Sequence, residues 1–384
     1  MNFDHYILTI FATNKIETGA HKRYLELIMG LSHRGHKVVS ISPEDFFENN
    51  IHEFIPVKLE RKKNIPLTFQ LAYQIFKKSE LNKYKSKSKI IIFGETTALA
   101  GIVLKYKLKA PLILGVRTNI YEDRKIAISQ RLRSKRNLWG RLLNQLYLSF
   151  FSLYEKFMYK IAETITVQNE TDLNNVLSKS KNKPVFLIPN NINVSWIERT
   201  KLKDTNQSEY VRKIGFIGEL IERKGIHLLL EAYKQLIDQG YDLELHIIGN
   251  GKMFNEIKNF KKLNSLNKIF MHGYVKKPIQ LLKDLDLVVV PSLIDSFPNV
   301  IFESWYVGTP VIGSKTGGIT HQLKYDDLLF EPNNSNEILL KVKTYLDKDN
   351  YKKIKNLTIE RRKQFEFDWI GRYEEVIKNT ICLK

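Results

Sequence analysis

The chain carries one cysteine, Cys382, in 384 residues. That excludes a disulfide framework and a thiolate metal site, and it fits a reducing compartment. No stretch approaches the roughly 18–20 apolar residues that span a bilayer. The first residues, MNFDHYILTIF, lack a basic leader and read as a strand, so no signal peptide is expected. No Asp-x-Asp pair follows a strand, no histidines have ligand spacing, and Asp326 with Asp327 reads as a surface turn. The expectation is therefore no metal and no cofactor. The turn GNGKMFN (249–255) lacks the third glycine of a dinucleotide fingerprint, which argues against an oxidoreductase. No nucleic-acid-binding module is present, and the aromatic residues follow core spacing, which argues against a nucleic-acid partner.

Positive charge, by contrast, is abundant. The net charge is +20, from 61 Lys and Arg against 41 Asp and Glu. Residues 1–200 hold 32 basic and 17 acidic residues, so +15 of the excess lies in the first half. Such asymmetry points to an anionic partner there, the alternative being a solvated basic surface.

A length of 384 residues exceeds the roughly 250–300 at which one core stops growing, so two domains are expected. Short β-branched runs alternate with amphipathic stretches. HYILTIF (5–11), KVVSIS (37–42), KIIIFG (89–94), APLILGVR (110–117), ETITVQN (163–169) and PVFLIPN (184–190) are separated by helix-like segments. This βαβ rhythm predicts a parallel, doubly wound sheet. The polar interval 199–212 reads as a linker, after which KIGFIG (213–218), LELHIIG (243–249), KIFMHG (268–273), DLVVVPS (286–292) and PVIGS (310–314) begin a second series. The expected division is 1–198 and 208–362, with a final helical segment, 366–384, packing back on the first domain. Sheets of this kind bind ligands beyond their strand ends, which puts the site in a cleft between the two domains.

One stretch, PSLIDSFPNVIFESWYVGTPVIGSKTGGI (291–319), asks for more than core packing. Pro298 suits a helix start, and Gly308 with Pro310 suits its end. The helix would offer the amides of Asn299, Val300 and Ile301 to an anion such as phosphate. Glu303 lies one turn in, on a helix apolar enough to be buried, where ligand hydroxyls or a neighbouring amide or arginine would have to satisfy it. Gly317 and Gly318 either allow close backbone near a ligand or simply make a loop.

At these residues the chain resembles glycosyltransferase family 4, retaining enzymes of GT-B fold, with two Rossmann-like domains across a cleft. Asp295-Ser296-Phe297-Pro298-Asn299-Val300 and Glu303 are similar to the family's carboxylate-x7-Glu signature. IGFIGELIERKGIHLLLEA (214–232), LHIIGNGKM (245–253), IFMHGYV (269–275), IPNNINVSWI (188–197) and KIETGAHKRYLELIMGLSHRGHKVVSIS (15–42) resemble further family segments in order. The resemblance implies that Glu303 holds the donor ribose and that Asp295 touches the transferred sugar. Lys224 and the amides of Asn299 and Val300 would hold the diphosphate, and Tyr274, Val275 and Lys276 would meet the base. Gly19, Gly218, Gly249 and Phe297 complete the donor set. The family's phosphate-binding arginine falls here on Glu219, so Arg223 is the expected substitute. Arg117 and Asn119 stand where the family often has a histidine, on the acceptor side. A UDP-sugar is favoured over a GDP-sugar as donor. A sugar-nucleotide 2-epimerase on the same fold is the alternative enzyme.

The segment 123–162 is also unusual. Seven basic residues fall in 124–141, no acid occurs from 124 to 154, and Leu, Trp, Tyr and Phe are interleaved. Arg131, Arg133 and Arg136 belong to this run. It reads as an element that docks on anionic lipid, or else as a basic loop before a core helix. With the basic first half, this predicts a lipid-linked or cell-envelope glycan acceptor and a cytoplasmic, membrane-peripheral enzyme. His36, in RGHKV, reads as a turn residue and His272 as structural.

Overall fold

The computed structural model describes residues 5–15, 18–47, 50–59, 66–117, 120–132, 138–180, 182–192 and 209–380. The chain divides into two compact units, Met1–Pro189 with Asp368–Lys384, and Asn190–Phe367. Of the proposed linker, 199–212, residues 199–208 lie outside the described residues.

The N-terminal unit is a seven-stranded, wholly parallel sheet in the order β3-β2-β1-β4-β5-β6-β7. Its elements are β1 (Tyr6–Ile10), α1 (Gly19–His33), β2 (Lys37–Ser42), β3 (Glu53–Pro56), α2 (Leu67–Lys77), β4 (Ser88–Phe93), α3 (Glu95–Leu108), β5 (Leu112–Gly115), α4 (Ile120–Leu132), α5 (Leu138–Ile161), β6 (Thr164–Val167), α6 (Glu170–Lys179) and β7 (Val185–Leu187). The β-branched runs are buried on both faces, as strands covered by two helix layers must be. Strand β3 and helix α2 break the rhythm and are not legible in it.

The C-terminal unit is a six-stranded parallel sheet in the order β10-β9-β8-β11-β12-β13. It contains β8 (Lys213–Ile217), α7 (Ile226–Asp238), β9 (Glu244–Ile248), α8 (Phe254–Leu263), β10 (Ile269–Gly273), α9 (Ile279–Lys283), β11 (Leu287–Val290), α10 (Asn299–Tyr306), β12 (Val311–Ser314), α11 (Gly317–Leu323), β13 (Leu329–Phe330), α12 (Ser335–Thr344) and α13 (Lys348–Lys363). Its core includes Trp305, Phe302 and Phe365, with Phe302 and Phe365 rings 5.2 Å apart. Burying each such side chain contributes about 1.5–3 kcal/mol.

The last helix, α14 (Trp369–Asn379), packs on α1. Ile370 fills the space beside Gly30, and Arg34 reaches Glu374 at 2.7 Å and Asp368 at 2.6 Å. His36 is not a turn residue. It is buried, its Nε2 2.9 Å from Glu374, because the turn at Gly35 sends the following side chain back under α14. Five helix starts share one device. Thr18, Asn169, Asn334, Asp347 and Asp368 each accept an amide three residues on.

Candidate active site

In the second sheet the sequence order reverses between β8 and β11, which are hydrogen-bonded neighbours. The loops leaving their C-terminal ends meet at this switch point, where open α/β sheets bind ligands. They are fastened along their length. Leu293 N–H donates to the Arg223 carbonyl at 2.8 Å, and the Arg223 guanidinium donates to the Ile294 carbonyl at 3.4 Å. Lys224 Nζ forms an ion pair with the Asp295 carboxylate, both side chains being largely sheltered. The fastening depends on Gly225, whose φ is +70°. A Cβ there would sit 1.8 Å from the Pro291 carbonyl oxygen, so no other residue lets the loops approach. The Lys-Gly pair in the sequence was the available signal for this residue, which sequence reading passed over.

The Gly-Gly pair also has a definite answer. Gly317 and Gly318 do not make a loop; they open α11. Cβ atoms on them would lie 2.5 Å from the Asp295 carbonyl oxygen and 1.6 Å from that of Ser296. Gly318 N–H donates to the Asp295 carbonyl at 2.9 Å. Asp295 is thus held by its main chain from one side and by Lys224 from the other, which sets the direction of its carboxylate.

Helix α10 starts directly after this loop. Its first-turn amides are fewer than expected, because Ile301 N–H donates to the Pro298 carbonyl at 3.3 Å. Asn299 and Val300 precede it in the first turn. Glu303 is half-exposed, not buried as the sequence suggests. Helical spacing explains this, since Ile301, Phe302, Ser304 and Trp305 turn inward while Val300, Glu303 and Tyr306 share the more open side. Phe297 is a core residue, packed at 5.7 Å from Phe302 and 6.1 Å from Phe365.

Gly218 and Gly249 lie side by side just beyond the ends of the paired strands β8 and β9. A Cβ on Gly249 would sit 1.8 Å from the Gly218 carbonyl oxygen, and Gly218 N–H donates to the Ile248 carbonyl at 3.0 Å. Tyr274, Val275 and Lys276 follow β10, the edge strand of the sheet, two places from β8. Beside them His272 stacks on His246 at 5.3 Å, and burial with the neighbouring imidazole holds His272 below its ordinary pKa.

In the N-terminal unit, Gly19 is the first residue of α1 and not part of a loop, Thr18 serving as the cap. Arg117 lies over the Phe93 ring at 4.2 Å, and burial lowers its pKa. Asn119, Arg133 and Arg136 lie outside the described residues, as does the side chain of Arg131.

The two doubly wound sheets define the α/β GT-B fold. Sucrose-phosphate synthase from Thermosynechococcus elongatus superposes with a TM-score of 0.78 at 18% identity, over 97% of this chain and 98% of that one. Residues 198–364, almost all of the C-terminal unit, match the family model described as glycosyl transferases group 1. The chain is 29% identical over 182 residues to an uncharacterized glycosyltransferase of Methanocaldococcus jannaschii, covering 45% of each. It is 27% identical over 291 residues to N-acetylgalactosamine-N,N'-diacetylbacillosaminyl-diphospho-undecaprenol 4-alpha-N-acetylgalactosaminyltransferase of Campylobacter jejuni, covering 71% of this chain and 78% of that one. Against three archaeal relatives the match spans less than half their length, 45%, 43% and 35%.

Proposed function

We propose that this chain is a retaining glycosyltransferase. In this reading it moves a sugar from a nucleoside-diphosphate sugar, a UDP-sugar before a GDP-sugar, to a lipid-linked glycan at a membrane surface. The observation that carries it is the Lys224–Asp295 pair at the switch point, one short loop from the start of α10. A cation, a carboxylate and a helix N-terminus converge there, which is what a sugar diphosphate presents in complement. The match of residues 198–364 to group 1 glycosyl transferases supports the donor half of the reading. The name of the Campylobacter relative supports a lipid-diphosphate-linked acceptor.

In the proposed reaction the bond between the anomeric carbon and the diphosphate oxygen breaks. The acceptor hydroxyl attacks from the same face, and its proton passes to the departing phosphate oxygen, leaving a glycoside and a nucleoside diphosphate. Charge grows on the leaving diphosphate, and Lys224, with Arg223 beside it and the amides of Asn299 and Val300, would stabilise it. Asp295 would then face the hydroxyls of the transferred sugar and Glu303 those of the ribose. No step needs a metal ion, and activity should survive excess EDTA. The test is turnover of a panel of nucleotide sugars with the wild-type chain and Glu303→Ala. Selective release of one nucleoside diphosphate, lost in the folded variant, supports the reading. Turnover of none, or full activity in the variant, defeats it.

A further inference from the structure

The N-terminal sheet has two helix layers, and they differ in what they show to solvent. The connection β1→β2 runs one way across the sheet, while β3→β4, β4→β5, β5→β6 and β6→β7 run the other. Right-handed crossovers therefore put α2, α3, α5 and α6 on one face and α1 on the opposite face, where α14 joins it. Among the described residues, every strongly exposed large apolar side chain of this unit lies on the first layer, and none lies on α1 or α14.

The exposure is patterned. On α5, Leu146, Phe150, Leu153 and Phe157 are 61%, 61%, 65% and 51% exposed, and their spacing of four, three and four makes one stripe. On α2, Phe69, Tyr73 and Phe76 repeat the device with spacings of four and three. An amphipathic helix normally turns such a stripe inward. Here α2 buries Leu71, Ala72 and Ile75 on its other side and keeps the aromatic stripe outside. Exposed apolar patches of this kind mark interaction surfaces.

Charge selects the occupant. Helix α2 has no acidic residue, and Lys77 lies 4.5 Å from the Tyr73 ring. The one acid of α5, Glu155, is fully buried and paired with Lys179 at 2.7 Å. Lys156 and Lys160 are exposed one turn apart beside the stripe. The chain just before α5 reads RLRSKRN (131–137). Apolar stripes on separate helices, bordered by lysines and free of exposed acids on α2 and α5, suit a broad anionic surface and not a narrow peptide groove. No described helix is long and apolar enough to cross a membrane, so the contact is one of lying on it.

We propose that the outer face of the α2–α3–α5 layer docks on an anionic lipid bilayer, the aromatic and leucine side chains entering the headgroup region and the lysines meeting lipid phosphates. This deepens the membrane part of the function proposed above by naming the surface, and it stands apart from the donor chemistry. The test uses the full chain and two variants. Phe150→Trp places a reporter on the stripe, and its emission should shift to the blue with phosphatidylglycerol vesicles but not with phosphatidylcholine alone. Changing Leu146, Phe150, Leu153 and Phe157 together to Ser should weaken binding to the anionic vesicles by at least about tenfold. Circular dichroism and nucleotide-sugar hydrolysis should stay unchanged, which separates this result from failure of the donor site. Leu263→Ser, an exposed leucine of the C-terminal unit, should have no effect. Equal vesicle binding by the Ser variant would overturn the proposal. So would lipid-free dimers of the wild type that the Ser variant abolishes, since the stripe would then be an interface between copies. Absence of vesicle binding alongside normal hydrolysis would overturn the docking face and leave the transferase reading standing.

Discussion

The two units are built on the same plan and spend their residues differently. In the C-terminal unit the loops at the switch point are tied to one another by backbone hydrogen bonds, by glycines that admit no side chain and by the Lys224–Asp295 pair. In the N-terminal unit the notable features are on an outer surface, an excess of positive charge and an apolar layer facing solvent. The first kind of feature is geometric and tolerates few alternatives, because a Cβ 1.6–2.5 Å from a carbonyl oxygen cannot be accommodated. The second kind is compositional, and many sequences satisfy it. The family match falls on residues 198–364, within the unit that carries the first kind of feature.

The contrast can be broken or sharpened by substitution. Glu303→Ala should lower transfer about a thousandfold without unfolding the chain, because Glu303 sits on the open side of α10. Steady-state rates with soluble donor, together with a thermal melt, check this. Lys224→Ala should cost about 100-fold in the same assay. A silent Arg223→Ala would remove that residue from the phosphate set. Gly318→Ala tests whether the loops are fixed by sterics. It should destabilise the chain by about 2 kcal/mol in denaturant titration, since the Ser296 carbonyl must move. In the other unit, changing Arg124, Arg131, Arg133, Lys135, Arg136 and Arg141 to Gln should reduce binding to anionic vesicles about tenfold at low salt and less at high salt, with donor hydrolysis intact. The smallest effect concerns His36. Burial holds its pKa below the ordinary value of about 6.5 even beside Glu374. The unfolded chain therefore takes up the proton first, and this contribution to stability is full above about pH 6.5 and is lost as pH falls through the folded pKa. Melting wild type and His36→Asn between pH 7.5 and 5.5 should show the shallower slope in the variant, by a fraction of a kcal/mol.

Much of the architecture was legible because it rests on local patterns. β-branched runs buried on both faces, the proline and glycine that bound α10 and the concentration of positive charge in the first half are all properties of neighbouring residues. The residues 291–319 announced a strand, a loop and a helix with a carboxylate one turn in, and these stand where the spacing placed them. Strand β3 and helix α2 were missed because neither continues the alternation that marked their neighbours. The burial of Phe297 and His36, the half-exposure of Glu303 and the loss of the Ile301 amide to Pro298 could not be read from spacing.

What the sequence determined by itself was the set of parts: two parallel sheets, a glycine-marked turn after each of several strands, a lysine and two carboxylates of the right kind, and a basic first half. What only the tertiary structure decided was which parts meet. Lys224 and Asp295 lie 71 positions apart and touch because β8 and β11 are neighbours in a sheet whose order reverses there. The stripes on α2 and α5 lie in one helix layer because right-handed crossovers carried both helices to the same side of the sheet. Local sequence sets each strand and helix through short-range sterics and hydrogen bonds. Adjacency between distant segments is set by burial and handedness acting on the whole chain.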